Sequence, residues 1–130
     1  MKAITINPFA KTVEEIDLHP VDQEDMIDAI CRVIFYKWVK AAMSFPNGDF
    51  LYLNSKSGEA ANDLAFSIMV NGICVPFLGR GLIVGYDIVN DSEIDTHYTT
   101  DLIKPLVRFY DLPASLLIKS SDLTVLNSVK

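Results

Sequence analysis

Histidine, cysteine and tryptophan are scarce in this chain, at two, two and one among 130 residues, and each scarcity removes a class of chemistry. His19 and His97 both lie beside turn residues and make no HxH, HExxH or HxxxH spacing, so a zinc site lacks its ligands and no metal or other cofactor is expected. Cys31 and Cys74 form no CxxC pattern. They read as two small buried hydrophobes, which excludes a disulfide framework and points to a reducing compartment. No apolar run approaches the length of a bilayer span, and the first residues lack the continuous apolar core of a secretory signal, so the expected location is the cytoplasm. A basic surplus is missing too: 11 Lys and Arg stand against 17 Asp and Glu, for a net charge of -6 and a pI near 4.7. Such a surface repels nucleic-acid phosphate and anionic lipid, which disfavours generic DNA, RNA or membrane binding and favours basic or neutral partners. Internal repeats, low-complexity tracts and interdomain linkers are also lacking, so residues 1–130 read as a single domain.

What is present suits a packed α+β fold. Half of the residues are hydrophobic, enough to bury a core without help from metal or disulfide. Ala3 to Ile6 alternates, Asn7 and Pro8 turn the chain, and Thr12 to Leu18 resumes alternation with Val13 out of phase, which predicts an N-terminal hairpin with its loop at Asn7 to Lys11. Asp22 is the expected N-cap of a helix, with Glu24 and Asp25 in its first turn and Met26, Ile27, Ile30, Cys31, Val33, Ile34 and Trp38 at helical spacing. Two Asn-Gly pairs, Asn47-Gly48 and Asn71-Gly72, each sit between extended runs and predict type I′ hairpins, although Pro46 disturbs the first. Residues 55–62 are small and polar and read as a loop, while Glu59 to Met69 fits either a helix or a strand, the strand being preferred for Phe66 to Val70. Asp87 to His97 reads as a polar connection. Thr99 or Thr100 then caps a second helix carrying Leu102, Ile103, Leu106, Val107 and Tyr110, with Pro105 its flaw, and the tail 113–130 adds a terminal strand or short helix. The expected fold is a mainly antiparallel sheet built from hairpins, with two helices packed on it.

The longest β-favouring run, Ile73 to Asp87, is broken by Pro76, Gly79, Gly81 and Gly85, and reads as a bent edge or corner of the sheet. Gly79, Arg80 and Gly81 superficially match a dinucleotide fingerprint, but the residues after Gly81 are β-branched and no helix is expected to open there. A bend beside a cation still offers a small-molecule or nucleotide-binding site at Gly79, Arg80 and Gly81. Asp87, Asn90, Asp91, Glu93 and Asp95 supply oxygen ligands, but the sharp-turn glycine and closing glutamate of a calcium loop are missing. Cys31, Ser67, His97 and Asp95 cannot be assembled into a nucleophile, base and orienting acid from their spacing, so no catalytic residues are assigned and a non-enzymatic role is favoured. Trp38, Tyr36 and Tyr52 serve either as core aromatics or as interface anchors. The acids Glu14, Glu15, Asp22 and Glu24 have a structural reason on a hairpin strand and a helix start, and they are equally the candidate partner-binding patch.

Three stretches carry a family resemblance: Met1 to Pro8 followed by Thr12, Val13 and Glu14; Gly48 to Tyr52; and Pro76 to Asp87. Together they resemble a group of small proteins carried by bacteriophages, prophages and plasmids and grouped as a domain of unknown function. This chain departs from that pattern in a longer insertion at Arg32 to Ala42 and a less acidic segment before the second glycine run. The resemblance implies an accessory gene of a mobile element, expressed inside a bacterium, with no catalytic residues to carry over. The function expected from it, together with the acidic balance, is binding to a bacterial host protein as an inhibitor of a defence or regulatory factor. A homodimer formed through exposed sheet edges is the purely structural alternative.

Overall fold

The computed structural model describes residues 1–34, 40–53 and 64–113. It is an α+β fold of two antiparallel sheets. The larger contains β1 (Lys2–Asn7), β2 (Thr12–Asp17), β3 (Lys40–Ser44), β4 (Phe50–Leu53), β7 (Gly81–Asp87) and β8 (Ser92–Ile94), in the order β2-β1-β7-β4-β3 with β8 paired to β7. The smaller is β6 (Ile73–Leu78), β5 (Leu64–Val70) and β9 (Val107–Pro113), with β5 in the middle. Two helices complete the fold, α1 (Met26–Val33) and the short α2 (Thr100–Ile103), which runs into a 3-10 turn at Lys104–Leu106.

Both faces of the larger sheet are buried, and its strands sort their side chains accordingly. Ile4 and Ile6 of β1, Leu51 and Leu53 of β4 and Ile83 of β7 face the smaller sheet, where they meet Phe66, Ile68 and Phe77. Ala3, Tyr52, Leu82 and Val84 face the opposite way, against Ala29, Ile30 and Ile34 of α1. The out-of-phase Val13 follows from this two-sided burial: it joins the inter-sheet core, while Ile16 and Leu18 pack on the α1 side. Side chains at successive strand positions point to opposite faces, so one strand can feed two cores.

The glycine-rich run is corrected by this arrangement. Gly81–Asp87 is not an edge but the central strand, paired with β1 on one side and β4 on the other; only Gly79 and Arg80 form the corner between the two sheets. Its glycines are there because neighbours come too close for a side chain. A Cβ on Gly81 would lie 2.9 Å from the Phe66 ring, and one on Gly85 only 2.2 Å from the Asp95 carbonyl oxygen. Pro76 sits on β6, an edge strand, where its missing N–H disrupts no central ladder.

Five further expectations are adjusted. Asp22 adopts φ 52° in the turn before α1, and the cap is Asp25, whose carboxylate accepts the Asp28 N–H at 2.8 Å while Asp28 answers at the Asp25 N–H. Asn71 and Gly72 have φ 52° and 79°, the expected I′ turn, whereas Asn47-Gly48 does not make one. Pro46 holds the negative φ of a type I turn, so the loop takes three residues, Pro46 to Gly48, closed by Gly48 N–H to Phe45 O at 3.0 Å with Gly48 at φ 93°. Asp87 to His97 is not only a connection: its first part folds β8 back on β7. The second helix is capped by Thr99 as expected but stops at Ile103, before the 3-10 turn that holds Pro105, and Val107 to Tyr110 are strand. Cys31 is half-buried and Cys74 exposed, so neither is the fully buried hydrophobe expected. The strand preference at Phe66 to Val70 holds in β5. The continuation of α1 to Trp38, Tyr36, the loop 55–62, the helical alternative at Glu59 to Ala61 and the tail 114–130 lie outside the described residues.

Candidate functional site

Among the described residues, two places bring polar groups together at a concavity. The first was named in the sequence: Gly79, Arg80 and Gly81, at the corner where β6 hands over to β7. A strand rather than a helix follows Gly81, so no helix N-terminus faces Arg80 and the dinucleotide arrangement is missing. The Arg80 guanidinium lies over the Phe9 ring, 4.8 Å from its centroid, beside a cavity of about 150 Å³ that Thr5, Asn7, Glu14, Val33 and Ile34 also line.

Glu14 thus lines the same cavity as Arg80. Glu15, the next residue on β2, points to the other face and is exposed, and Asp22 is exposed in the turn before α1. Glu24 is engaged within the fold: its carboxylate accepts Arg32 Nε at 3.0 and 3.2 Å and the Val21 N–H at 2.9 Å. The Arg32 contact is the main cause, and the Val21 amide the next, that holds the Glu24 carboxyl below its ordinary value. The four acids therefore occupy different settings.

The second place was not found from sequence. Asp49, the first residue after the Pro46–Gly48 loop, is fully buried, and three donors from the segment before α2 converge on it. Its Oδ2 accepts the Thr96 hydroxyl at 2.5 Å and the His97 N–H at 3.0 Å, and its Oδ1 lies 2.6 Å from His97 Nδ1. The Thr96 oxygen accepts the Tyr98 N–H at 3.2 Å, so its single proton is directed to Asp49. A carboxylate can only accept, so Nδ1 carries a proton and donates it to Oδ1; in the neutral ring this leaves the Nε2 lone pair facing outward. The His97 side chain is 52% exposed while Asp49 is 0% exposed, so the pair joins a buried anchor to a reachable base.

His97 stands at the rim of an open depression of about 570 Å³ whose walls are Met1, Met26, Glu93, Ile94, Asp95 and Thr96. Glu93 and Asp95 are held in place rather than loose: Glu93 Oε2 accepts the Tyr52 hydroxyl at 3.1 Å, and Asp95 Oδ1 accepts the Lys2 N–H at 2.8 Å. Burial, then the charge of Glu93, raises the Tyr52 phenol far above its ordinary value and keeps it a donor. On the other side of Asp49, Phe45 and Tyr98 pack edge to face with centroids 5.3 Å apart, next to a smaller cleft of about 280 Å³ bounded by Pro46, Met69, Val70 and Leu106.

The same β7–β8 arm ends in an apolar tip. Asp87 Oδ1 accepts the Val89 and Asn90 N–H groups at 3.0 and 3.3 Å, and its Oδ2 accepts Asn90 Nδ2 at 2.6 Å, which fixes the turn. Ile88 and Val89 are left 82% and 91% exposed, flanked by Asp87 and Asp91. Among the described residues no group of three or more His, Cys, Asp or Glu is placed to hold a metal ion, and no helix is long and apolar enough to cross a membrane. No family model, curated protein or solved structure matches the chain.

Proposed function

We propose that this chain is a non-enzymatic binding protein of a bacteriophage or other mobile element that docks on a bacterial host protein and blocks a defence or regulatory activity. The observation that supports it best is the β7–β8 tip, where two β-branched apolar side chains are held out into solvent by a turn that its own side chains make rigid. Two large aliphatic residues side by side at more than four-fifths exposure contribute nothing to the core; in a partner's pocket each is worth about 1.5–3 kcal/mol. A preorganised turn loses little entropy on binding, and the net charge of -6 steers it towards basic surfaces. The Asp49–His97 pair does not argue for catalysis by itself, since a base and its orienting carboxylate need a nucleophile or a bound substrate to act on.

The test is affinity capture from a bacterial lysate with the wild-type chain and the double variant I88D/V89D in parallel, followed by titration of the purified captured protein. The reading predicts a partner that binds the wild type and loses about 30-fold or more in affinity to the variant, the equivalent of about 2 kcal/mol. Equal binding by both proteins would remove the tip from the interface.

A second reading, a small-ligand site at Gly79, Arg80 and Gly81, has the cavity beside Arg80 in its favour. At about 150 Å³ that cavity suits a small anion better than a nucleotide, whose sites run to roughly 300–1,000 Å³, and the Glu14 carboxylate in its wall opposes any anion. A thermal-shift series with phosphate, sulfate and nucleotides on the wild type and Arg80→Ala decides it: a shift that depends on Arg80 supports the site, and no shift removes it.

A further inference from the structure

The depression beside His97 has no task in the tip contact, yet its rim carries a histidine whose orientation is set from the interior. We infer that it is the seat of an arginine side chain of the same partner, with His97 Nε2 as the central acceptor. This rests on the protein-binding reading above and names the chemistry of the group that reaches this part of the surface.

Because the fully buried Asp49 carboxylate accepts from Nδ1, it fixes the ring plane, and in the neutral ring the outward Nε2 is a hydrogen-bond acceptor. An exposed acceptor held in this way selects for a ligand that brings donors. The carboxylates of Glu93 and Asp95 line the same depression, each with one oxygen anchored to the fold and lone pairs to spare, so the donors are best carried by a cation. Met1, Met26 and Ile94 supply apolar wall. A guanidinium meets all three conditions: it presents several N–H donors in a fixed plane to acceptors at different places, keeps its charge throughout the accessible pH range, and carries an aliphatic stem to lie against methionine. A lysine offers a point charge and leaves acceptors on the rim unmatched. The depression is also continuous with the proposed docking element. Ile88 and Val89 sit in the turn that joins β7 to β8, whose pairing sets Asp87 opposite Ser92 and Tyr86 opposite Glu93, so tip and depression fall within the span of one standard interface.

The experiment uses the full chain and three short amidated peptides, Gly-Arg-Gly, Gly-Lys-Gly and Gly-citrulline-Gly, titrated while the backbone amides of Glu93 to Tyr98 and the His97 ring are followed by NMR. The arginine peptide is expected to give saturable shifts at these positions, at least fivefold tighter than the lysine peptide, with the citrulline peptide inert. Asp49→Asn, which reverses the tautomer, is expected to weaken binding at least tenfold; should that variant not fold, His97→Ala followed through the Glu93 and Ile94 amides serves the same purpose. No saturable shift, equal binding of the lysine peptide, or binding unchanged in both variants would overturn the assignment. The I88D/V89D variant separates the two proposals, because it leaves peptide binding intact. Loss of the tip's role with peptide binding preserved refutes the docking element alone, and a tip-dependent partner with no peptide binding refutes this inference alone.

Discussion

Replacing Asp49 with asparagine changes one atom and reverses the logic of the His97 pair. In the wild type three donors meet one carboxylate: the Thr96 hydroxyl, the His97 N–H and the His97 Nδ1–H. An asparagine side chain of the same shape can keep its oxygen towards Thr96 and the His97 amide, but its NH₂ then faces Nδ1 and must donate to it. The ring proton is forced to Nε2. The charge on the acceptor is lost and the second N–H of the new amide meets no acceptor in this fully buried position, so the expected destabilisation is about 2–3 kcal/mol. Asp49→Ala strips all three donors of a partner that is itself fully buried, and about 3–5 kcal/mol is expected. Chemical denaturation gives the two free energies, and long-range ¹H–¹⁵N correlation of the imidazoles at mildly alkaline pH gives the tautomer. His19 is the only other histidine and serves as the internal control. A wild-type spectrum with the proton on Nε2, or an alanine variant no less stable than the asparagine one, would refute the reasoning.

Other outcomes follow from single contacts. Gly85→Ala drives a methyl group into the Asp95 carbonyl in the centre of the sheet, and a loss of about 3 kcal/mol or more is expected by urea denaturation; a loss under about 1 kcal/mol would mean that β8 and the following segment yield freely. Asp17 is lowered chiefly by its hydrogen bond from the terminal ammonium, Glu24 by that from Arg32, and Asp87 by that from Asn90. Each contributes stability above the ordinary carboxylate range and loses it as pH falls through the lowered folded value. The urea midpoint should therefore drop between about pH 5 and pH 2, less steeply in Glu24→Gln, and a flat profile would contradict the three contacts. Tyr52, raised by burial, keeps its stabilising effect below the ordinary phenol value of about 10 and loses it as pH rises beyond, so an ultraviolet titration should show one phenol ionising only with unfolding.

Much of this fold was legible because it is written in local chemistry. Asn71-Gly72 sets its own turn, Thr99 caps its own helix, and the N-terminal hairpin follows from alternation around Asn7, whose side chain accepts from Phe9 and Ala10 in the loop. What escaped depends on distant partners. The glycines of β7 look like an edge until Phe66 and the Asp95 carbonyl are seen to occupy the space a side chain would need. Val107 to Tyr110 fit a helical stripe, but Pro105 ends the helix and pairing with β5 turns them to strand. Asp22 and Asp25 both precede an apolar periodic run, and only the answering Asp28 favours the later cap. The Asp49–His97 pair joins residues 48 apart, one after a turn and one before a helix, and no spacing rule connects them. The one available signal was an aspartate at the start of an apolar strand, Asp49 ahead of Phe50 and Leu51, where burial was to be expected and a partner therefore required.

The docking role of the β7–β8 arm is tested most directly by hydrogen exchange on the purified complex of this chain with its captured partner, compared with the free chain. The account predicts new protection centred on Tyr86 to Glu93 and extending to His97. Protection confined to β2, or to the corner at Gly79 to Gly81, would contradict it.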